Sequence, residues 1–465
     1  MIGAGSGGLT VAVGLAGFGR RVGLVEASRV GGDCTNTGCI PSKRLIHLAR
    51  QAGSGDSAGV LVDVRATRDG LAERERKEFL DHANITLIDG HARFVGPRRI
   101  CVTVASGERL LSARHVIVAT GSRPRAVDIP GLPPERLLTN ETLFALDRAP
   151  AHLAIVGAGA IGLEMASAFT RLGTRVTLVD LADRVLPVAI PEASHAIQAS
   201  LAEQGVRVLL RTRVTGYDDA ERTLTVETPN ATESLPDVDR VLVAIGRIPN
   251  TDGLALEATG ITIEDSGIPV DSWGRTAVTG VWAVGDVTPG SHQTHAANAL
   301  GRRIVQRIAL SRLPPLGKPP LVPSAVFSEP EVAWIGLSPQ ALSQRCNDRV
   351  VTRITVDFSN TDRGLTDDVT HGFVTIDAVR LTGRILSATV VGPNASELIA
   401  ILGLAMSRRT SLLRLSRMVF AYPTFAGAIG KVADEFARQT LGNLRGEVTT
   451  YARYRLGGRD RRPRR

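Results

Sequence analysis

The sequence predicts an α/β protein built on a duplicated strand-helix-strand unit, and three observations carry that reading. A glycine turn spaced G-x-G-x-x-G occurs twice, at Gly3, Gly5 and Gly8 and again at Gly157, Gly159 and Gly162. Each turn leads through a small-residue helical stretch into an apolar strand ending in an acid, Glu26 or Asp180, eighteen residues past the third glycine in both copies. Farther on, each copy has an apolar strand that ends on glycine, His115–Pro124 with Ala-Thr-Gly and Val241–Asn250 with Ala-Ile-Gly.

The elements follow in order. The chain opens on MIGAGSGGL, so Met1 and Ile2 are all that is present of the buried strand that should precede the first turn, and the sequence predicts a native start upstream. A helix is expected over Leu9–Gly19, then the strand RRVGLVE to Glu26. In such a unit the glycines allow a tight turn and close approach to a pyrophosphate held on helix amides, and the terminal acid accepts from ribose hydroxyls. Residues 56–94 read as a helix and short strands. Arg99–Leu111 alternates as strand with a hairpin turn at Gly107, and Cys101 is a buried strand position. Thr120 and Gly121 offer backbone suited to close ligand contact, and the proline-rich Pro124–Pro134 reads as a crossing between domains. After the second unit come strand-like Val206–Val214 and Glu221–Thr228. VWAVGDVT ends an apolar strand at Asp286, either a turn aspartate or an acceptor for ribitol or ribose hydroxyls. Prolines over Leu313–Pro323 mark another linker, and strands and helices without a nucleotide motif continue to about Asn443.

With 465 residues the chain has room for two to four domains. A net charge of +9 rests on 51 arginines against 4 lysines, a good part of it in the last fifteen residues. That tail leaves contact with an anionic membrane surface open, while nucleic acid is not an expected partner. Four cysteines do not make a secreted disulfide framework, so a cytoplasmic setting is expected. No apolar run approaches the roughly 20 residues of a membrane helix.

The chemistry concentrates in GGDCTNTGCIPSK, Gly31 to Lys43. A regular helix would set Cys34 and Cys39 about 7.5 Å apart along its axis with diverging side chains. A disulfide needs Cα atoms roughly 4.4 to 6.8 Å apart. Thr35, Asn36, Thr37 and Gly38 are poor helix formers, and Gly38 can adopt a backbone conformation closed to other residues, so the segment can buckle into a small, easily reduced ring. Pro41 suits the first turn of a helix, which places Cys39 at a helix N-terminus where amides and dipole favour a thiolate. Lys43, four residues on, would share that face. A structural disulfide or half of a zinc site are the alternatives, the second with only His47 nearby.

Two glycine fingerprints, this cysteine stretch, Ala-Thr-Gly, Ala-Ile-Gly-Arg and Val-Gly-Asp in this order resemble the class I pyridine-nucleotide disulfide oxidoreductases, flavoproteins that include lipoamide dehydrogenase, glutathione reductase and mercuric reductase. The resemblance covers residues 1 to 445. It implies two Rossmann-like domains, for FAD at 1–149 with 276–318 and for NAD(P) at 150–275, then a C-terminal α+β dimerisation domain at 319–445 and a basic tail at 446–465. It implies FAD on the first fingerprint, with Glu26 at the adenosine ribose and Asp286 near the ribityl chain, and NADH or NADPH on the second. Asp180 favours NADH, although Arg175 and Arg184 are near enough in sequence to compensate a 2′-phosphate. Ala92, Thr120, Gly121 and Gly246 are counted among the cofactor-binding positions. Cys39 would face the flavin, Cys34 would exchange with substrate, and Lys43 would lie near the isoalloxazine and pair with Glu164. A homodimer would complete the site.

The C-terminal domain departs from the family pattern. Thiol reductases of this kind carry His-Pro-Thr followed three residues later by Glu, and the His moves protons during dithiol exchange. Here the stretch is FAYPTFAGAIG, with Tyr422 in place of the His and Gly427 in place of the Glu. A phenol of pKa near 10 is a poor base at neutral pH. Mercuric reductases also have tyrosine there, but with a C-terminal cysteine pair, and this chain has no cysteine after Cys346. The expectation is a mercuric-reductase-like flavoenzyme with a small-molecule or metal-ion acceptor. Dihydrolipoamide dehydrogenase is the second enzyme reading, and a flavin-binding scaffold or redox sensor the reading from another class.

Overall fold

The computed structural model describes residues 1–52, 56–311, 317, 319–346 and 350–457. They form two compact units: Met1–Gly157 with Ala168–Val176 and Val214–Pro319, and Ala158–Ser167 with Thr177–Arg213 and the residues from Pro320 onward. The architecture is α/β, with a C-terminal α+β part.

A parallel sheet organises the first unit. Val22–Glu26 pairs with Ile85–Asp89, and Val116–Val118 with Val281–Ala283. Ile2 joins the two pairs, bridging Val25 on one side and Val118 on the other. The expected opening strand is thus a single bridged residue, held by Ile2 N–H to the Ile117 carbonyl (2.9 Å) and Ala119 N–H to the Ile2 carbonyl (2.7 Å). These strands are runs of Val, Ile and Leu because a parallel sheet is covered on both faces; Leu24, Val118 and Ala283 are fully buried. The first helix is Ser6–Gly17, beginning three residues before the expected Leu9. Gly7 and Gly8 are poor helix formers, but both are buried, so packing overrides propensity. An antiparallel meander follows, His91–Gly96, Arg99–Val104 and Gly107–Ser112, with Gly107 at φ 122° in the turn and Cys101 buried on the middle strand. In the same unit Arg240–Val243 runs parallel to His152–Val156 and to Leu137–Leu138. The segments after the two glycine-ended strands, Ser122–Pro124 and Arg247–Pro249, pair antiparallel with each other.

In the second unit Thr177–Val179 pairs in parallel with Arg207–Leu209. The continuous strand expected over Val206–Val214 is broken: Arg211 sits at φ 53° and its N–H turns to the Ala182 carbonyl, so Arg207–Leu209 and Arg213–Asp218 are separate strands. The C-terminal part is a five-stranded antiparallel sheet in the order Ser324–Val326, Val332–Gly336, Ile385–Val391, Phe373–Val379, Val351–Asp357. The helices Ala395–Ser407 and Gly427–Gly442 share its core, which includes Ile376, Val390, Leu402, Ile429, Val432 and Phe436. Regular structure continues past Asn443. Leu444–Gly457 is a helix whose Glu447 pairs with Arg380 at 2.8 Å, so the first residues of the basic tail expected at 446–465 are helical, and those from 458 on lie outside the described residues. Much of the linker expected at Leu313–Pro323 also lies outside them. No helix among the described residues is long and apolar enough to cross a membrane.

Candidate active site

The two glycine turns are alike at their first glycine and at the acid that holds them. Gly3 has φ 102° and Gly157 φ 113°, conformations that side chains resist. A Cβ on Gly3 would stand 2.3 Å from the Ala119 carbonyl oxygen, and one on Gly157 2.4 Å from that of Ala244. Each turn therefore lies against the strand that ends in Ala-Thr-Gly or Ala-Ile-Gly. The acids answer one another too. Glu26 accepts from the N–H of Ala4 (2.6 Å) and of Ser28 (2.8 Å), and Asp180 from the N–H of Ala158 and of Ala182, the latter at 2.7 Å. Both carboxylates fasten their own glycine turn, and each keeps acceptor capacity beyond those two bonds, since a carboxylate offers about four acceptor sites.

The cradle fits a dinucleotide. Gly5 is the N-cap of Ser6–Gly17 with no side chain capping the helix, so its first-turn amides are placed to receive a phosphate. A Cβ on Gly5 would meet only Gly32 Cα at 3.8 Å, and the would-be Cβ of Gly159 faces open space. Gly8 lies tight under the Gly3 carbonyl, and Gly162 is buried in the helix Ala160–Arg171. Gly121 (φ 68°) and Gly246 (φ 117°) also leave open space where a side chain would be. Thr120 accepts from Asn250 Nδ2 at its carbonyl (3.0 Å) and donates its hydroxyl to the Asn250 carbonyl (2.6 Å). Ala92 is a strand residue opposite Val102, packed on the core. Asp286 accepts the Ser122 hydroxyl at 2.9 Å.

The cysteine stretch buckles as its composition requires. Gly32–Asn36 is one short helix carrying Cys34, and Cys39 is the first residue of the next, Cys39–Ala52. Gly38 does not supply the positive φ expected of it. Its contribution is the missing side chain, because a Cβ there would stand 2.8 Å from the Asp33 carbonyl oxygen. Both cysteines are thiols in this structure. A hydrogen bond to Cys39, with burial second, pushes the Cys34 pKa far up. Cys39 Sγ lies 3.4 Å from the Thr294 hydroxyl. Among the described residues no three His, Cys, Asp or Glu side chains gather as metal ligands.

Lys43 lies half-buried on Cys39–Ala52 in the first unit. Glu164 belongs to the second unit, where its buried carboxylate accepts the Phe327 N–H at 3.0 Å. Tyr422 is 80% exposed, and Gly427 opens the helix Gly427–Gly442. Sequence reasoning missed Thr294, which sits in a polar run with no motif, and gave no role to Asp33 or to Arg247, although both stand inside motifs it singled out.

Residues 1–301 match the family model described as pyridine nucleotide-disulphide oxidoreductase, and residues 322–433 match its dimerisation domain. Dihydrolipoyl dehydrogenase of Halobacterium salinarum is 33% identical over 460 residues, covering 93% of this chain and 95% of that protein. Dihydrolipoyl dehydrogenase 3 of Pseudomonas aeruginosa is 33% identical over 466 residues, covering 95% and 98%. Among solved structures, the Cu(II) complex of the HOCl-induced flavoprotein disulfide reductase RclA from Escherichia coli superposes with a TM-score of 0.84 at 28% identity, covering 93% of this chain and 98% of that one. LpdA from Mycobacterium tuberculosis gives the same figures. The family uses FAD with NADH or NADPH, and its dimerisation domain supports a homodimer. The chain belongs to the pyridine nucleotide-disulphide oxidoreductase family and is an NAD(P)H-dependent flavoprotein disulfide oxidoreductase.

Proposed function

We propose that this enzyme delivers electrons from NAD(P)H, by way of FAD and the Cys34–Cys39 pair, to an acceptor that needs no protein base, with a thiophilic metal ion first and a quinone second. One observation carries the reading: the positions of the proton-handling dyad hold an exposed Tyr422 and a side-chain-free Gly427. Bound FAD would supply the step that joins hydride to thiol chemistry. The chain's own residues would hold it at Glu26, Asp286 and the first glycine turn, and would keep the first thiolate on Cys39. RclA, solved with Cu(II), lends support to a metal-ion acceptor in a related chain. The names of the similar curated proteins favour dihydrolipoamide as the second reading. A panel of acceptors on the purified holoenzyme separates them. Turnover of Cu(II), Hg(II) or a quinone well above that of dihydrolipoamide with NAD⁺ supports the proposal, and the reverse order replaces it with the second reading.

A further inference from the structure

Arg247 follows Ala-Ile-Gly and has no part in the reading above, yet its side chain, 14% exposed, is where its own motif meets three others and the loop at Asn140. Its Nε donates to the Ser122 hydroxyl at 2.7 Å and stands 3.7 Å from the Asp286 carboxylate. One terminal nitrogen donates to Asn140 Oδ1 at 3.1 Å. The other donates to the Ser122 carbonyl at 2.8 Å and to the Asp33 carboxylate. Asp33 immediately precedes Cys34. Two routes lead on from the guanidinium to Thr37, two residues before Cys39: the Thr37 hydroxyl donates to Asp33 Oδ1 at 3.2 Å, and Asn140 Nδ2 donates to the Thr37 carbonyl at 3.3 Å. The chain flanking both sulfurs is thus tied to one planar, rigid, always-charged group.

We propose that Arg247, acting through Asp33 and Asn140, is a positioning residue that sets the closing equilibrium of the Cys34–Cys39 ring. Closing requires the two sulfurs to be held within bonding reach, and restricting the intervening backbone raises their effective concentration without any new contact to the sulfurs. The junction Thr37–Gly38, poor helix formers between the short helix Gly32–Asn36 and the helix Cys39–Ala52, would not hold that geometry by itself. The inference rests on Cys34 and Cys39 being the redox pair.

The test is a glutathione redox titration of the holoenzyme, trapped by thiol alkylation and read by mass. In the reaction followed, the two thiols lose two electrons and two protons, an S–S bond forms between Cys34 and Cys39, and glutathione disulfide takes up both electrons and both protons as two glutathione thiols. Asp33→Asn removes the anchor and the negative charge beside Cys34, and both changes favour the open dithiol. The closing constant is expected to fall about tenfold, raising the midpoint by about 30 mV. Asn140→Ala cuts only the route to the Thr37 carbonyl and changes no charge, so a smaller fall of the same sign is expected. Arg247→Lys keeps the charge and loses the fork, and should also lower the constant. The proposal is overturned if Asn140→Ala and Arg247→Lys both stay within twofold of the parent while keeping its FAD content and melting temperature, even if Asp33→Asn shifts, since that pattern is charge and not positioning. Should Asp33→Asn not fold, the other two variants decide. Failure of the unaltered protein to form the ring at all would refute the redox-pair reading itself, a different outcome from unmoved variants.

Discussion

Cys34 holds its proton against the sulfur of Cys39, and that hydrogen bond raises the Cys34 pKa more than burial does. Cys39 stands at the start of the helix Cys39–Ala52, where amides and dipole favour a thiolate. In the holoenzyme, Cys34→Ser is expected to show a long-wavelength thiolate-to-flavin absorbance without any reductant, and Cys39→Ser to show none after NADH. Observing the band in the Cys39 variant and not in the Cys34 variant would reverse the two roles.

The same pair makes stability depend on pH. The folded dithiol keeps the Cys34 proton at pH values where an unfolded thiol, of pKa about 8.5, has lost it. The unfolded state therefore binds fewer protons above that pH, and folding stability falls as pH rises further. Urea midpoints of the reduced protein should drop between about pH 8.5 and 10. The slope should flatten in Cys34→Ser.

Glycine turns that are built alike should fail separately. Gly3→Ala places a methyl 2.3 Å from the Ala119 oxygen, and Gly157→Ala one 2.4 Å from the Ala244 oxygen, each at a positive φ. Gly3→Ala is expected to purify largely without flavin. Gly157→Ala should keep its flavin absorbance and lose flavin reduction by NADH by about tenfold or more, the effect of about 1.4 kcal/mol of strain. Equal flavin content in the two variants would contradict this division.

NADH should be preferred to NADPH. Asp180 accepts two backbone N–H groups and offers its remaining lone pairs to a free 2′-hydroxyl. The arginines able to compensate a 2′-phosphate are engaged elsewhere, Arg184 on the Pro187 carbonyl (2.8 Å) and Arg175 on His152 (2.9 Å), the Pro236 carbonyl (3.0 Å) and Asp237 (3.6 Å). A kcat/KM ratio of roughly tenfold or more for NADH is the expected result, the scale of one like-charge contact. A higher value with NADPH would contradict it.

Tyr422→His together with Gly427→Glu should raise dihydrolipoamide turnover, because a placed base typically contributes about 100- to 10,000-fold. The second position accepts the change: a Cβ on Gly427 meets nothing nearer than Thr424 Oγ1 at 3.9 Å. Glu at the first residue of the helix Gly427–Gly442 also replaces glycine and favours the helix dipole, so Gly427→Glu alone should stabilise by about 0.5–1 kcal/mol in urea. Turnover of dihydrolipoamide by the unaltered protein at hundreds per second would remove the basis for the dyad argument.

The sequence by itself determined the repeat, the two acids, the cysteine stretch and the absence of the His–Glu dyad, because each is a matter of residue type at fixed spacing, and local backbone physics ties spacing to turn and helix start. It also carried the helix start at Cys39, through Pro41. Tertiary structure decided everything that depends on which distant carbonyl or carboxylate comes to meet a given residue. Gly38 is needed for the approach of Asp33, not for its φ; Val206–Val214 breaks where Arg211 turns to Ala182; and Leu444–Gly457 folds as a helix carrying the Glu447–Arg380 pair. Arg247 shows the difference most sharply. In sequence it is the last residue of the Ala-Ile-Gly-Arg motif with no role attached, and only long-range folding gathers Asp33, Ser122, Asn140 and Asp286 around it, over separations of 214, 125 and 107 residues for the first three. No periodicity reports such a meeting, since its energy lies in contacts between chain segments that share no local pattern.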